Sequence, residues 1–315
     1  MAWQHARKAA RIFLIAVLFL RSPADDCWAA EPELPKPVVV DLNTKDGLRL
    51  VSTYYGQRQG SKAVPIVILH DFKGSRNALS DLAQRFQQTG YAVTVPDLRG
   101  HGDSTKFTPR AWAGGGEIEA ASMRRDDFAR MVPFDMEAVR KFLVQKNDEQ
   151  ELNLNRLCVI GAGMGAMVAL NWTARDWSYP PLPVGKQGQD VKALVLVSPE
   201  WSFKGVPVQE ALAILADRAV GNNVSVLILV GRNNAQAVRD ARRIHKSLQR
   251  SHPEPSRSDG EAKRTLHLYT PDTSLQGLKL LSAKGMQLEE GLAKFIRWRA
   301  AEPDYPWTAR RPTSD

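Results

Sequence analysis

The sequence predicts an α/β fold: a mostly parallel, eight-stranded sheet flanked by helices. Short β-branched runs alternate with helical segments along the chain, an order typical of βαβ units. Two runs, 191–197 and 224–230, are largely apolar, as expected for parallel strands that helices cover on both faces. The 315 residues are 43% hydrophobic and 24% charged, which is enough apolar material for one large core.

The predicted elements begin with a hairpin that turns at 45–47, where Lys, Asp and Gly favour a turn. Only about 25 residues separate the sixth and seventh strands, too few for a substantial cap domain. The predicted strands are 38–42, 48–55, 64–70, 91–95, 156–160, 191–197, 224–230 and 265–269. The predicted helices are 77–88, 132–146, 164–176, 235–248 and 288–299, with loops at 107–123 and 251–263.

Residues 1–29 have the features of a secretory signal peptide. Basic residues precede the apolar run 12–20, and the small residues of CWAA follow it. The run is too short to span a bilayer, so a cleaved leader is favoured over a retained anchor. Cleavage after Ala29 or Ala30 would give an exported protein, periplasmic or secreted, with no stable membrane span. It would keep one cysteine, Cys158, and hence no internal disulfide.

The basic charge of the chain, +9 in total, does not indicate a nucleic-acid partner. The paired arginines at 124–125, 242–243 and 310–311 are scattered and not interleaved with aromatic residues, so we expect a solvated basic surface. The sequence also lacks HExxH, CxxC and any tight group of histidines and carboxylates. We therefore predict no metal ion and no other cofactor.

Two segments resemble parts of the α/β hydrolases. LHDFKGS at 69–75 and YAVTVPDLRGHGDST at 91–105 are similar to the segments after the third and fourth strands of that family. The resemblance covers 36–300 and leaves 301–315 as a Pro- and Arg-rich tail that we expect to be poorly ordered. It implies an oxyanion hole formed by backbone N–H groups, one from Asp71 or Phe72 and one from Met164.

The same resemblance identifies the places where the family carries its catalytic triad. GAGMG at 161–165 puts Gly163 where the GxSxG elbow has its serine, Asn234 occupies the acid position, and Gln276 the base position. No histidine occurs in 268–315. Glycine carries no attacking atom, and an amide cannot stabilise an imidazolium. We therefore expect a non-catalytic protein that binds a small ligand or a protein partner in the inherited cleft.

One alternative is an active hydrolase, such as an esterase, with a rearranged site. Ser198 or Ser104 would then be the nucleophile, His101 or His267 the base, and Glu200, after the sixth strand, the acid. No trio among them has the spacing that places the three groups at neighbouring strand ends.

A second alternative is a dinucleotide-binding protein. The sequence GAGMGA at 161–166 fits the glycine fingerprint that opens a helix after a strand. That fingerprint normally lies in the first βαβ unit, whereas here four or five strands precede it.

Overall fold

The computed structural model describes residues 33–108, 116–180, 182, 185–256, 260–283 and 288–310. The predicted signal peptide lies outside these residues, as do 109–115 and 257–259 of the two predicted loops. Among the helices in the described part, none combines the length and the apolar character needed to span a membrane.

All eight predicted strands form, and a short hairpin adds two more in the described residues. The strands are β1 Val38–Asn43, β2 Arg49–Tyr55, β3 Val64–Leu69, β4 Tyr91–Pro96, β5 Leu157–Ala162, β6 Val191–Val197, β7 Ser202–Phe203, β8 Val206–Pro207, β9 Ser225–Leu229 and β10 Leu266–Tyr269. The sheet has the order β1-β2-β4-β3-β5-β6-β9-β10, with β7 and β8 paired apart from it. Only β2 runs against its neighbours, so the sheet is mostly parallel, as predicted.

The helices cover both faces of this sheet. They are α1 Ser80–Gln88, α2 Arg125–Arg130, α3 Glu137–Asp148, α4 Met164–Ser178, α5 Gln209–Leu215, α6 Arg218–Gly221, α7 Ala235–Leu248, α8 Gly277–Leu281 and α9 Leu288–Ile296. Side chains of β5 alternate between two apolar clusters, with Val159 in one and Cys158 and Ile160 in the other. Such alternation buries the central strands on both sides.

The predicted helix 132–146 starts differently from the prediction. A π-helical turn, Met131–Met136, joins α2 to α3 and contains Pro133, which has no N–H to continue an α-helical ladder. The turn also carries Asp135, whose Oδ1 accepts from Arg99 Nε at 3.0 Å, and neither side chain is exposed to solvent. This buried ion pair fixes the turn against the loop that follows β4.

Residues 301–310 of the predicted tail pack against the domain, and 311–315 lie outside the described residues. The guanidinium of Arg310 lies 2.7 Å from the Asp190 carboxylate, and both side chains are 1% exposed. Three asparagine side chains donate to tail carbonyl oxygens: Asn147 to Thr308, Asn153 to Tyr305 and Asn155 to Pro306. Composition alone suggested disorder because these partners lie far away in sequence.

We expect Arg310→Ala to lower the free energy of unfolding by about 2 kcal/mol or more, because it removes a buried cation from the buried Asp190 carboxylate. The matched control is Arg297→Ala, which breaks an exposed ion pair with Glu302 and should cost less than about 1 kcal/mol. Urea denaturation curves measure both values. Equal effects of the two substitutions would contradict the packing of the tail.

Candidate functional site

The turn between β5 and α4 has the geometry of a sharp strand-to-helix elbow. Gly163 lies at its centre with φ +50° and ψ −112°, a backbone conformation that residues with a side chain rarely adopt. Gly165 allows the helix to approach β3, since a Cβ there would lie 2.5 Å from the Leu69 carbonyl oxygen. The elbow that the sequence motif predicts is therefore present, with glycine at its tip.

Two backbone N–H groups beside this elbow converge on one oxygen atom. Asp71 Oδ1 accepts from Phe72 N at 2.6 Å and from Met164 N at 3.1 Å. Met164 is the first residue of α4, where the helix dipole favours a negative charge. The structure thus brings the amides of Phe72 and Met164 together, and the Asp71 carboxylate accepts a hydrogen bond from each of them.

The Asp71 carboxylate also fills the space in front of the elbow. A Cβ on Gly163 would overlap Oδ1, and a Cβ on Gly277 would overlap Oδ2. Gly277 has φ +55° and begins α8, so the residue whose Cβ would point at the elbow is Gly277, directly after the predicted base position Gln276. Neither glycine can gain a side chain unless Asp71 moves.

Gln276 takes part in a hydrogen-bonded chain beside the elbow. Its Nε2 donates to the Gly231 carbonyl oxygen at 2.9 Å, and its Oε1 accepts from Ser198 Oγ at 2.7 Å. Ser198 Oγ in turn accepts from Gly277 N at 2.9 Å. The chain joins the ends of β6 and β9 to the start of α8. The Ser198 hydroxyl donates to an amide oxygen, which cannot act as a general base at neutral pH.

Asn234 caps a helix next to this chain, and its backbone N–H donates to the Gly231 carbonyl oxygen at 3.4 Å. Its side-chain oxygen accepts from Ala237 N at 3.0 Å at the exposed start of α7. Asparagine and aspartate serve equally well as N-caps, so the amide keeps the helix start without adding a charge. Of the three predicted triad positions, Gly163 and the Gln276 segment meet at the Asp71 carboxylate, whereas the Asn234 side chain is engaged at the start of α7.

Glu200 follows β6 and lies within electrostatic range of the site. Partial burial, together with the negative charges of Asp71 and Asp240, raises the pKa of Glu200 above its ordinary value, while Lys204 opposes the shift. The carboxylate therefore responds to the charge of Asp71.

The histidines near the site have structural hydrogen bonds. His70 is fully buried; its Nδ1 donates to the Asp71 carbonyl oxygen at 2.8 Å and its Nε2 accepts from Leu98 N at 3.0 Å, which requires the neutral ring. Burial lowers the pKa of His70 to about 4. His101 Nδ1 donates to the Arg99 carbonyl oxygen at 2.8 Å.

The other members of the rearranged-site hypothesis lie elsewhere. Ser104 is fully buried and its Oγ accepts from Val51 N at 2.8 Å. His267 is on β10, at the far edge of the sheet, and donates to the Arg264 carbonyl oxygen at 2.8 Å. The structure does not assemble a nucleophile, base and acid from these residues. In the part of the chain that it describes, no group of three or more His, Cys, Asp or Glu residues is placed to hold a metal ion.

Three phenylalanine rings form an apolar cluster next to the Phe72 amide. The Phe72 ring lies 5.7 Å from Phe203 and 6.0 Å from Phe128, and the last two rings are 5.3 Å apart. Phe128 belongs to α2 and Phe203 to the β7–β8 hairpin. These two short elements, rather than a separate cap domain, supply the apolar surroundings of the elbow.

The sheet order and the elbow define an α/β-hydrolase fold. The chain belongs to the family described as serine aminopeptidase, S33, whose model matches residues 60–255. No curated protein matches the chain at a significant level.

Solved structures of hydrolases share the fold at low sequence identity. An esterase from Pyrococcus furiosus is 17% identical with a TM-score of 0.57, over 84% of this chain and 93% of that one. The dienelactone hydrolase from Anabaena variabilis is 15% identical with a TM-score of 0.57, over 85% of this chain and 100% of that one. An α/β hydrolase from a Penicillium species is 12% identical with a TM-score of 0.54, over 85% and 100% of the two chains.

We expect Gly163→Ser to destabilise the protein by about 2 kcal/mol or more, because the new Cβ both overlaps Asp71 and occupies a strained backbone position. Adding Asp71→Gly should restore at least about 1 kcal/mol, and the double-mutant cycle from thermal or urea unfolding measures this coupling.

The control for that cycle is Gly260→Ser. Gly260 has φ +70° but no heavy atom within 4 Å of its Cβ position, so the substitution introduces strain without overlap. Asp71→Gly should show no coupling to it. Similar coupling of Asp71 to both serine substitutions would argue against a direct contact at the elbow.

Proposed function

We propose that this protein is a non-catalytic member of the α/β-hydrolase fold that acts by binding a small ligand or a protein partner. The observation that supports the proposal is the position of one carboxylate. Asp71 accepts from both N–H donors of the predicted oxyanion hole and also fills the space that a nucleophilic side chain on residue 163 would need.

Hydrolysis needs those two N–H groups free, because they stabilise the negative charge that develops on the substrate oxygen. Loss of a single oxyanion-hole donor typically costs about 10² to 10³ in turnover. Enzymes without their triad keep a residual acceleration of roughly 10³ to 10⁴ through the oxyanion hole and substrate binding. An internal carboxylate bound to Phe72 and Met164 would remove most of this residual rate, in addition to the missing nucleophile.

The elbow is also a poor dinucleotide site. The pyrophosphate of a dinucleotide would need the amide at the start of α4, but Met164 N already donates to Asp71. A second anion next to that carboxylate would be repelled. Binding of this kind is therefore not the function that we favour.

Wild-type protein is expected to hydrolyse p-nitrophenyl acetate no faster than a heat-denatured control. The informative variant is Asp71→Ala, which frees both N–H donors. We expect it to exceed the wild-type rate, by up to about 10²-fold, while remaining far below an ordinary esterase. Stopped-flow or plate-reader absorbance at saturating protein measures both rates.

The opposite order of rates would overturn the proposal. Wild-type turnover of about 1 s⁻¹ or more, abolished by Asp71→Ala, would identify the carboxylate as a catalytic group and support the rearranged-site alternative. Equal activity in both proteins that further purification removes would come from a contaminating esterase. The rates of wild type and Asp71→Ala are then compared in the repurified samples.

We also propose that the protein acts outside the cytoplasm, on the strength of the basic start and the apolar run at 12–20. N-terminal sequencing of the protein isolated from the cells that make it should then begin at Ala30 or Glu31. Leu18→Arg, which interrupts the apolar run, should leave the chain full length. Exported protein that still begins at Met1 would contradict the predicted cleavage of the signal peptide.

A further inference from the structure

A groove lies between α5 and α7, and its lining includes none of the elbow residues. Its volume is about 670 Å³, and Trp201 forms part of its floor. One wall is formed from α5 and the residues after it, and the other from α7 and the turn that follows it. The residues that line the two walls are Gln209, Leu212, Ala213, Ala216 and Asp217 on the first, and Arg243, Lys246, Ser247 and Arg250 on the second.

The second wall is strongly basic. Arg243, Lys246 and Arg250 are spaced three and four residues apart, which places them on one side of α7 and its continuation. Across the described ranges of the chain, none of the three forms an ion pair with a carboxylate. The acidic residue on the opposite wall is Asp217, whose side-chain oxygen already accepts from Ala219 N at 2.8 Å.

Arg243 is held in a fixed orientation by Trp201. Its guanidinium carbon lies 3.6 Å from the centroid of the indole ring, which is the distance of a stacked cation–π pair. Stacking uses the face of the guanidinium and leaves the N–H groups on its edge free. A planar, pre-positioned guanidinium of this kind suits a bidentate contact with a carboxylate or phosphate.

The first wall is apolar near the same place. Leu212, which is almost fully buried, lines the groove together with Ala213 and Ala216. A ligand that fits both walls must carry negative charge on one side and an apolar surface on the other. A purely anionic ligand or a purely apolar ligand would contact only one of the two walls.

We propose that the groove between α5 and α7 binds amphipathic organic anions, with the anionic head group on Arg243, Lys246 and Arg250 and the apolar part against Leu212, Ala213 and Ala216. Gly163, Asp71 and Gln276 do not line this groove. Its occupation is therefore independent of whether the elbow carries out any chemistry, and the two proposals can fail separately.

The test is isothermal titration calorimetry of the purified protein with four probes: octanoate, octyl phosphate, octanol and inorganic phosphate. We expect octanoate or octyl phosphate to bind, and whichever binds more tightly identifies the head group as a carboxylate or a phosphate ester. Octanol tests the apolar contact alone and inorganic phosphate the charge alone, and both should bind at least about tenfold more weakly than the better anion.

Variants locate the binding in the groove. Arg243→Ala and Lys246→Ala should each weaken binding of the better anion about tenfold, since each removes a charge-assisted hydrogen bond. Arg243→Lys keeps the charge but loses the planar stack and should be intermediate. The matched control is Arg239→Ala, an exposed arginine one turn earlier on α7 that does not line the groove, and it should bind as wild type does.

Circular dichroism and thermal unfolding show whether each variant is folded, and Arg243→Lys gives a readout if Arg243→Ala is not. Absence of binding by both organic anions, equal binding of octanol, or equal binding of inorganic phosphate would overturn the proposal. So would anion binding that the Arg243 and Lys246 substitutions leave unchanged in folded protein.

Discussion

The Asp71 carboxylate connects the three chain segments that meet at the candidate site. It accepts the Phe72 amide after β3 and the Met164 amide at the start of α4, and it faces Gly277 at the start of α8. A negative charge beside a helix N-terminus with two N–H donors is a favourable arrangement, and here the chain supplies the anion itself. The geometry of the whole elbow region follows from this one side chain.

Asp71, Gly163 and Gly277 are best understood as one steric unit. Both glycines have positive φ, and the Cβ atom that either would carry overlaps the same carboxylate. A protein interior is close-packed, so the space in front of two glycines must be filled or the structure must collapse around it. The aspartate fills it with hydrogen-bonded atoms. A side chain added at either glycine would therefore displace the Asp71 carboxylate.

The surroundings of the site hold this unit in place and limit what it can do. Ser198, Gln276 and Gly231 form a hydrogen-bonded chain across the ends of β6 and β9, and phenylalanine rings from α2 and the β7–β8 hairpin pack beside Phe72. Polar groups in this chain satisfy one another, so none is left as a free base.

Periodicity and local motifs are properties of neighbouring residues, and they were enough to predict the eight strands of the main sheet, the short connection in place of a cap domain, and the glycine at the elbow. The folded chain was needed to show that Asp71 meets Met164, 93 residues further along the chain, that Gly277 faces the elbow, and that residues 301–310 are packed. These contacts join segments that are distant in sequence, and no pattern within either segment specifies the partner. The orientation of the Asp71 side chain places a carboxylate, bound to the Phe72 and Met164 amides, in front of the elbow.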